Sequence, residues 1–193
     1  MILSFAVLLP SCALFEKPHE FIQDSETRRQ LAALETWRME GRVGVRQVDE
    51  SWQAALVWDH FRDFDHLTLS GPLGQGALDI EYSESHIRVT SADGKIEESS
   101  NPQELLESII GIAVPLAALR YWVLGLAFPT VIFDSKYDSI GKLIQLSQLG
   151  WLCQYQDYQS VLHFSVPKKL SVINDRTRLK LVIDEWRLSD HDD

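Results

Sequence analysis

This sequence predicts an α+β domain: a curved antiparallel sheet of about ten or eleven strands under a lid of about three helices. Three observations predict it. Apolar residues recur at a period of two over residues 37–99 and again over 131–186, the spacing of strands with one buried face. Between these stretches, residues 101–125 switch to helical spacing. The breaks between apolar runs are short and carry turn residues such as Asp93-Gly94, Gly141 and Asn174-Asp175, which suits hairpins better than helical crossovers.

The elements follow in order. Residues 25–36 read as a helix, with Leu31 and Leu34 at i, i+3 and Arg28, Arg29 and Glu35 on the other face. From Trp37 the period is two: Trp37, Met39, Gly41, Val43 and Val45 alternate with Arg38, Glu40, Arg42, Gly44 and Arg46. Trp52, Ala54, Leu56 and Trp58 form one face of a second strand. Leu67 and Leu69 mark a third, Leu78, Ile80 and Tyr82 a fourth, Ile87 and Val89 a fifth, and residues 95–99 return after Asp93-Gly94. Asn101-Pro102 then has the chemistry of a helix start, Asn as N-cap and Pro at the first helical position. Leu105, Leu106, Ile109 and Ile110 give an apolar stripe that Gly111 terminates. Pro115 opens another helix, carrying Leu116, Leu119, Tyr121, Trp122 and Val123, which ends at Gly125. Strands resume at residues 131–134, 143–146, 151–155, 161–166, 170–173 and 179–186.

Composition sets the outer limits. At 193 residues a single domain is expected, and 45% hydrophobic with 24% charged residues is ordinary for a folded chain. No apolar run approaches the roughly 18 residues of a membrane-spanning helix. The formal net charge is -10, which disfavours nucleic acid as a partner, because that binding rests on neutralising phosphates with Lys and Arg. Two cysteines, Cys12 and Cys153, are too few for a disulfide scaffold.

The amino terminus carries an address. Residues 1–11 read as a signal peptide: an apolar run, too short to span, ends in Leu9-Pro10-Ser11-Cys12, which fits the loose bacterial lipobox. No Lys or Arg precedes the run, so the leader reads as truncated at its start. A lipidated Cys12 followed by a tether over residues 12–24 would anchor a domain formed by residues 25–193. Three acyl chains, at about 0.8 kcal/mol per buried CH2, make such an anchor essentially permanent. Ala13 stands where Asp usually retains bacterial lipoproteins at the inner membrane, so the expected address is the outer membrane. Cys153 is then expected in a strand as a small apolar residue.

Chemistry-bearing constellations are missing from the sequence. The six histidines form no metal-ligand spacing, no cofactor motif occurs, and no nucleophile elbow is present. No catalytic residue is assigned and the chain is not read as an enzyme. His60 and His66, with Asp59, Asp63 and Asp65, read as a solvated acidic hairpin in preference to a cation site. Large side chains are the more informative feature. Trp52, Leu56, Trp58, Trp122 and Trp151 fall on faces pointing to a common interior, as the lining of an apolar cavity would. The same periodicity also describes a plain packed core. In Ser70-Gly71-Pro72-Leu73-Gly74-Gln75-Gly76, Leu73 sits at the centre of a Pro/Gly turn. It either folds back onto the sheet or serves as an apolar prong for a membrane or partner.

Taken together, these features resemble the LolB family of outer-membrane lipoprotein receptors of Gram-negative bacteria, from about Thr36 to Trp186. The resemblance is carried by Gly41-Arg42-Val43-Gly44-Val45, by Leu69 through Gly74, and by Gln148-Leu149-Gly150-Trp151. Its most specific part is Pro115-Leu116-Ala117-Ala118-Leu119-Arg120-Tyr121-Trp122-Val123-Leu124-Gly125. The resemblance implies a half-barrel with a helical lid around an apolar cavity and a function without chemistry. Such a protein accepts lipoproteins from a periplasmic LolA-type carrier and releases their acyl chains into the inner leaflet of the outer membrane, on its periplasmic face. It also implies that Leu73, flanked by Gly71, Pro72 and Gly74, is the exposed leucine of a membrane-insertion loop. The chain is expected to act as a monomer. Two other readings make different demands: a lipid carrier or structural lipoprotein does not need Leu73 exposed, and an anchored envelope hydrolase needs a carboxylate or histidine in a polar cleft.

Overall fold

The computed structural model describes residues 25–72 and 76–189. They form α1 (Ser25–Ala32), β1 (Thr36–Arg46), β2 (Ser51–Phe61), β3 (Phe64–Ser70), β4 (Leu78–Tyr82), β5 (Ile87–Ser91) and β6 (Ile96–Ser99). Next come α2 (Pro102–Ile110), α3 (Leu116–Trp122), β7 (Asp134–Tyr137), β8 (Leu143–Gln148), β9 (Trp151–Val161), β10 (Phe164–Ile173) and β11 (Arg178–Leu188). All eleven strands belong to one open antiparallel sheet in the order β6-β5-β4-β3-β2-β1-β11-β10-β9-β8-β7.

That order explains the lid. β1 to β6 run outward from the middle of the sheet to one edge, and β7 to β11 run back from the other edge to the middle, where β11 pairs with β1. The segment between β6 and β7 must therefore cross from edge to edge, and this is the segment that holds α2 and α3. It crosses over the concave face, where the alternating buried residues of the strands form a single apolar core with Leu106, Leu116, Leu119 and Trp122. A β-bulge at Glu40/Gly41 bends β1 against β11. Gly41 is obligatory there, because a Cβ would run into the carbonyl oxygen of Val182.

Three expected boundaries differ. The first helix stops at Ala32, short of residue 36, because β1 has already begun at Thr36. The apolar run 131–134 is not a strand: β7 begins at Asp134, and Ile132 and Phe133 are exposed before it. Pairing with β8, Asp134 against Ser147, sets the position of this edge strand, whatever the apolar run suggests. Residues 161–166 and 170–173 are not two strands. The chain turns at Leu162-His163, and β10 then runs unbroken from Phe164 to Ile173, with a bulge around Pro167 taking up the residue that cannot donate to the ladder. Leu162 adopts φ 54°, a turn geometry without the usual Gly or Asn signature.

Candidate functional site

The concave face near the β1–β2 and β10–β11 turns holds a cleft of about 40 Å³. Its floor is Val43 of β1, Trp52, Leu56 and Trp58 of β2, Leu67 and Leu69 of β3, Ile80 of β4, and Leu179 and Leu181 of β11. Its roof is Leu106 and Ile110 of α2, Ile112 and Val114 of the α2–α3 linker, and Leu116 and Leu119 of α3. Among the described residues, every lining side chain is apolar apart from the two indoles, and Trp58 turns its Nε1 away to donate to Asp65 at 2.9 Å. A water inside would find few partners, so the cleft favours hydrocarbon. Its volume is far below the roughly 300–1,000 Å³ of ordinary ligand pockets.

The roof over this cleft is held mainly by apolar contact. α2 begins at Pro102 and ends in a left-handed Gly111, φ 76°, whose N–H donates to Glu107 O. One polar tie follows it: Gln47 Nε2, from the β1–β2 turn, donates to Gly111 O at 2.6 Å.

The other end of the lid is different. Trp122 is fully buried, and its Nε1 donates to Gln148 Oε1 at 3.0 Å. Gln148 also accepts from the Phe128 N–H and donates to the carbonyls of Phe128 and Val131. Tyr155 Oη donates to Trp122 O at 3.0 Å. Burial, with smaller contributions from neighbouring groups, pushes the Tyr155 phenol well up, and burial pushes the Cys153 thiol to about 12. Cys153 is a fully buried strand residue.

A third feature escaped the sequence reading. His60 and Asp65 are buried, not part of a solvated hairpin, because they face each other across β2 and β3 in phase with Trp58 and Leu67. Strand parity held this information. Asp65 Oδ1 accepts from Trp58 Nε1 and lies 2.9 Å from His60 Nδ1, and Arg120 of α3 lies 3.5 Å from its other oxygen. Trp37 stacks on His60 at 5.1 Å. A cavity of about 330 Å³ opens beside His60, Arg120 and Tyr121, under the end of α1. Among the described residues, no Ser, Thr or Cys lines it.

The expected site residues therefore separate. Trp52, Leu56 and Trp58 stand together on the cleft wall. Trp122 and Trp151 do not: helix and strand parity gave their inward direction correctly, but they pack on the β8–β9 half of the sheet, beside Gln148. Gly71 is half-buried and Pro72 exposed where the β3–β4 connection leaves the sheet. Leu73, Gly74 and Cys12 lie outside the described residues.

Comparison with known proteins agrees with this architecture. The family model described as outer membrane lipoprotein LolB matches residues 35–186. A protein of Nitrosococcus oceani named outer-membrane lipoprotein LolB is 32% identical, over 97% of this chain and 96% of that one. One of the same name from Stutzerimonas stutzeri is 30% identical, over 94% and 91%. Among solved structures, a DUF1329 family protein from Desulfovibrio piger shares the fold, with a TM-score of 0.57 at 5% identity, over 85% of this chain and 90% of that one.

Proposed function

Because the chain belongs to the LolB family of outer membrane lipoproteins, with a role in lipoprotein localisation and not in catalysis, we propose that it is the receptor for the final transfer step. It takes lipoproteins from a periplasmic LolA-type carrier and releases their acyl chains into the outer membrane, whose periplasmic face it occupies through a lipidated Cys12. The observation that carries this reading is the cleft lining, apolar from both sheet and lid. Acyl chains offer area and no hydrogen bonds, so a diffuse apolar surface binds them and lets them go.

At about 40 Å³ the cleft is too small to hold an acyl chain. Acyl chains enter only if α2 and the start of α3 withdraw from the sheet, exchanging contacts with Trp52, Leu56 and Trp58 for contacts with lipid. Release needs a route to the bilayer, which the Leu73 loop supplies by burying its side chain at the interface, worth roughly 1.5–3 kcal/mol. Acceptance and release are measured separately with a carrier loaded with labelled lipoprotein. Leu73→Glu is expected to accept cargo and stall at release, since a charge is carried toward lipid. A protein that cannot take cargo from the carrier at all overturns the receptor reading, and normal release by Leu73→Glu overturns the role of the loop.

A further inference from the structure

The convex face, away from the lid, carries a charge pattern that this function does not use. At the sheet end where the β3–β4 connection emerges, β1 presents Arg42 and Arg46 and β11 presents Arg178 and Lys180. All four are exposed and alternate with buried Val43, Val45, Leu179 and Leu181. Arg46 stands directly opposite Arg178 in the register, and Lys180 opposite Gly44. Like charges facing each other across strands are destabilising unless an anion lies between them.

Within the chain, little anion is supplied. Arg42 pairs with Asp184 at 3.1 Å, with both side chains more than half exposed. Among the described residues, no carboxylate forms an ion pair with Arg46, Arg178 or Lys180, although Asp49, Glu50 and Asp175 lie in the adjoining turns. This is a concentrated positive patch on a chain of net charge -10. Beside it runs an open groove of about 600 Å³, flanked by Arg42 and Lys180, floored by small residues including Gly44, Ala55 and Ser70, and bounded by Gly71-Pro72. Gly44 has nothing within 4 Å of the position its Cβ would take, so the floor leaves room for a group between the cationic side chains.

We infer that this groove docks the phosphate headgroups of anionic phospholipids in the leaflet that the loop enters. The inference rests on the membrane-facing reading of the Leu73 loop. Position and charge both point to a membrane. The β3–β4 connection leaves the sheet at Gly71-Pro72, which also bound the groove. A headgroup layer is about 5–8 Å thick, so a connection that enters the membrane brings the groove at its base next to the phosphates.

The test uses the full chain with Cys12→Ala, floated with vesicles of phosphatidylcholine alone or with about a third phosphatidylglycerol. Phosphatidylglycerol is expected to raise binding, and salt to reverse the gain. The groove pair, Arg178→Gln beside the groove with Lys180→Gln on its flank, should cut the gain by about 25-fold, at about fivefold per cation, without altering binding to phosphatidylcholine. The control pair, Lys136→Gln with Arg187→Gln, removes the same charge elsewhere and should change the gain little. No gain from phosphatidylglycerol, or equal losses in both pairs, overturns the inference. A groove pair that impairs acceptance from the carrier while leaving vesicle binding intact also overturns it, in favour of an acidic protein partner. Leu73→Glu separates the two readings: stalled release with no phosphatidylglycerol effect of the groove pair sinks the groove alone, whereas normal release sinks the loop.

Discussion

The two ends of the lid meet the same sheet through different physics. Over β1 to β4 and β11, α2 and the first turn of α3 offer Leu106, Ile110, Leu116 and Leu119 to an apolar floor. Over β8 and β9, the last turn of α3 is fixed by Trp122, Gln148 and Tyr155 through buried, directional hydrogen bonds. Apolar contact is non-directional, so a hydrocarbon chain can replace a helix face at little net cost. A buried donor that loses its acceptor costs about 1–3 kcal/mol. The difference assigns roles: the α2 end is the part that can yield, and the Trp122 end is the part that holds.

The strongest attempt to break this contrast is Trp122→Ala. It should cost about 3–5 kcal/mol, as for a fully packed aromatic, measured by denaturant unfolding. A loss below about 1 kcal/mol would show that Trp122 borders open space. Gln148→Ala should follow at about 2–3 kcal/mol, since it strands the Trp122 indole N–H and the Phe128 N–H.

On the yielding side, Ile110→Ala removes a half-buried roof residue and should cost only about 1–2 kcal/mol. It should also strengthen binding of a fluorescent acyl probe by enlarging the cleft; weaker binding would mean that the roof is needed for contact more than for closure. Native-state hydrogen exchange sharpens the comparison without mutation, because α2 amides should open at lower free energy than those of residues 119–123.

Alkaline pH acts on the held side. Burial raises the thiol of Cys153 to about 12 and the phenol of Tyr155 well above its ordinary value. The unfolded chain therefore loses these protons first and binds fewer of them. Stability should fall as pH rises above the ordinary thiol pKa of about 8.5, by up to about 1.4 kcal/mol per pH unit for each group. Cys153 itself should resist thiol reagents at neutral pH until the chain is denatured. Ready labelling of the folded protein would contradict a closed β8–β10 core.

Much of the sheet was legible because its period is unambiguous. Trp37 to Val45 and Trp52 to Trp58 alternate without interruption, and their buried faces follow from parity alone. Trp52, Leu56 and Trp58 share one face of β2 for the same reason. The two lid ends were not distinguishable, since Trp122 and Leu119 both read as apolar helix residues. Gln148, 26 residues away, and Tyr155 turn one of them into an anchor. The His60–Asp65 pair was missed because polar residue type was weighed above strand phase. The β9–β10 turn was missed because Leu162 takes a left-handed conformation that its residue type does not advertise.

The pairing of β1 with β11 also has a consequence for how the chain is made. Arg42 and Asp184, an ion pair across that seam, are separated by 142 residues. The first strand to be synthesised thus waits for the last before one of its edges is covered. Until then β1 has β2 on one side and an open ladder on the other, the arrangement most prone to intermolecular strand addition. A sheet closed by so distant a contact also collects its loop-closure cost late and folds slowly. Truncation before Arg178 should therefore yield an aggregating chain with no stable domain, and holdase chaperones should bind nascent forms that already contain the entire cleft floor contributed by β1 to β4.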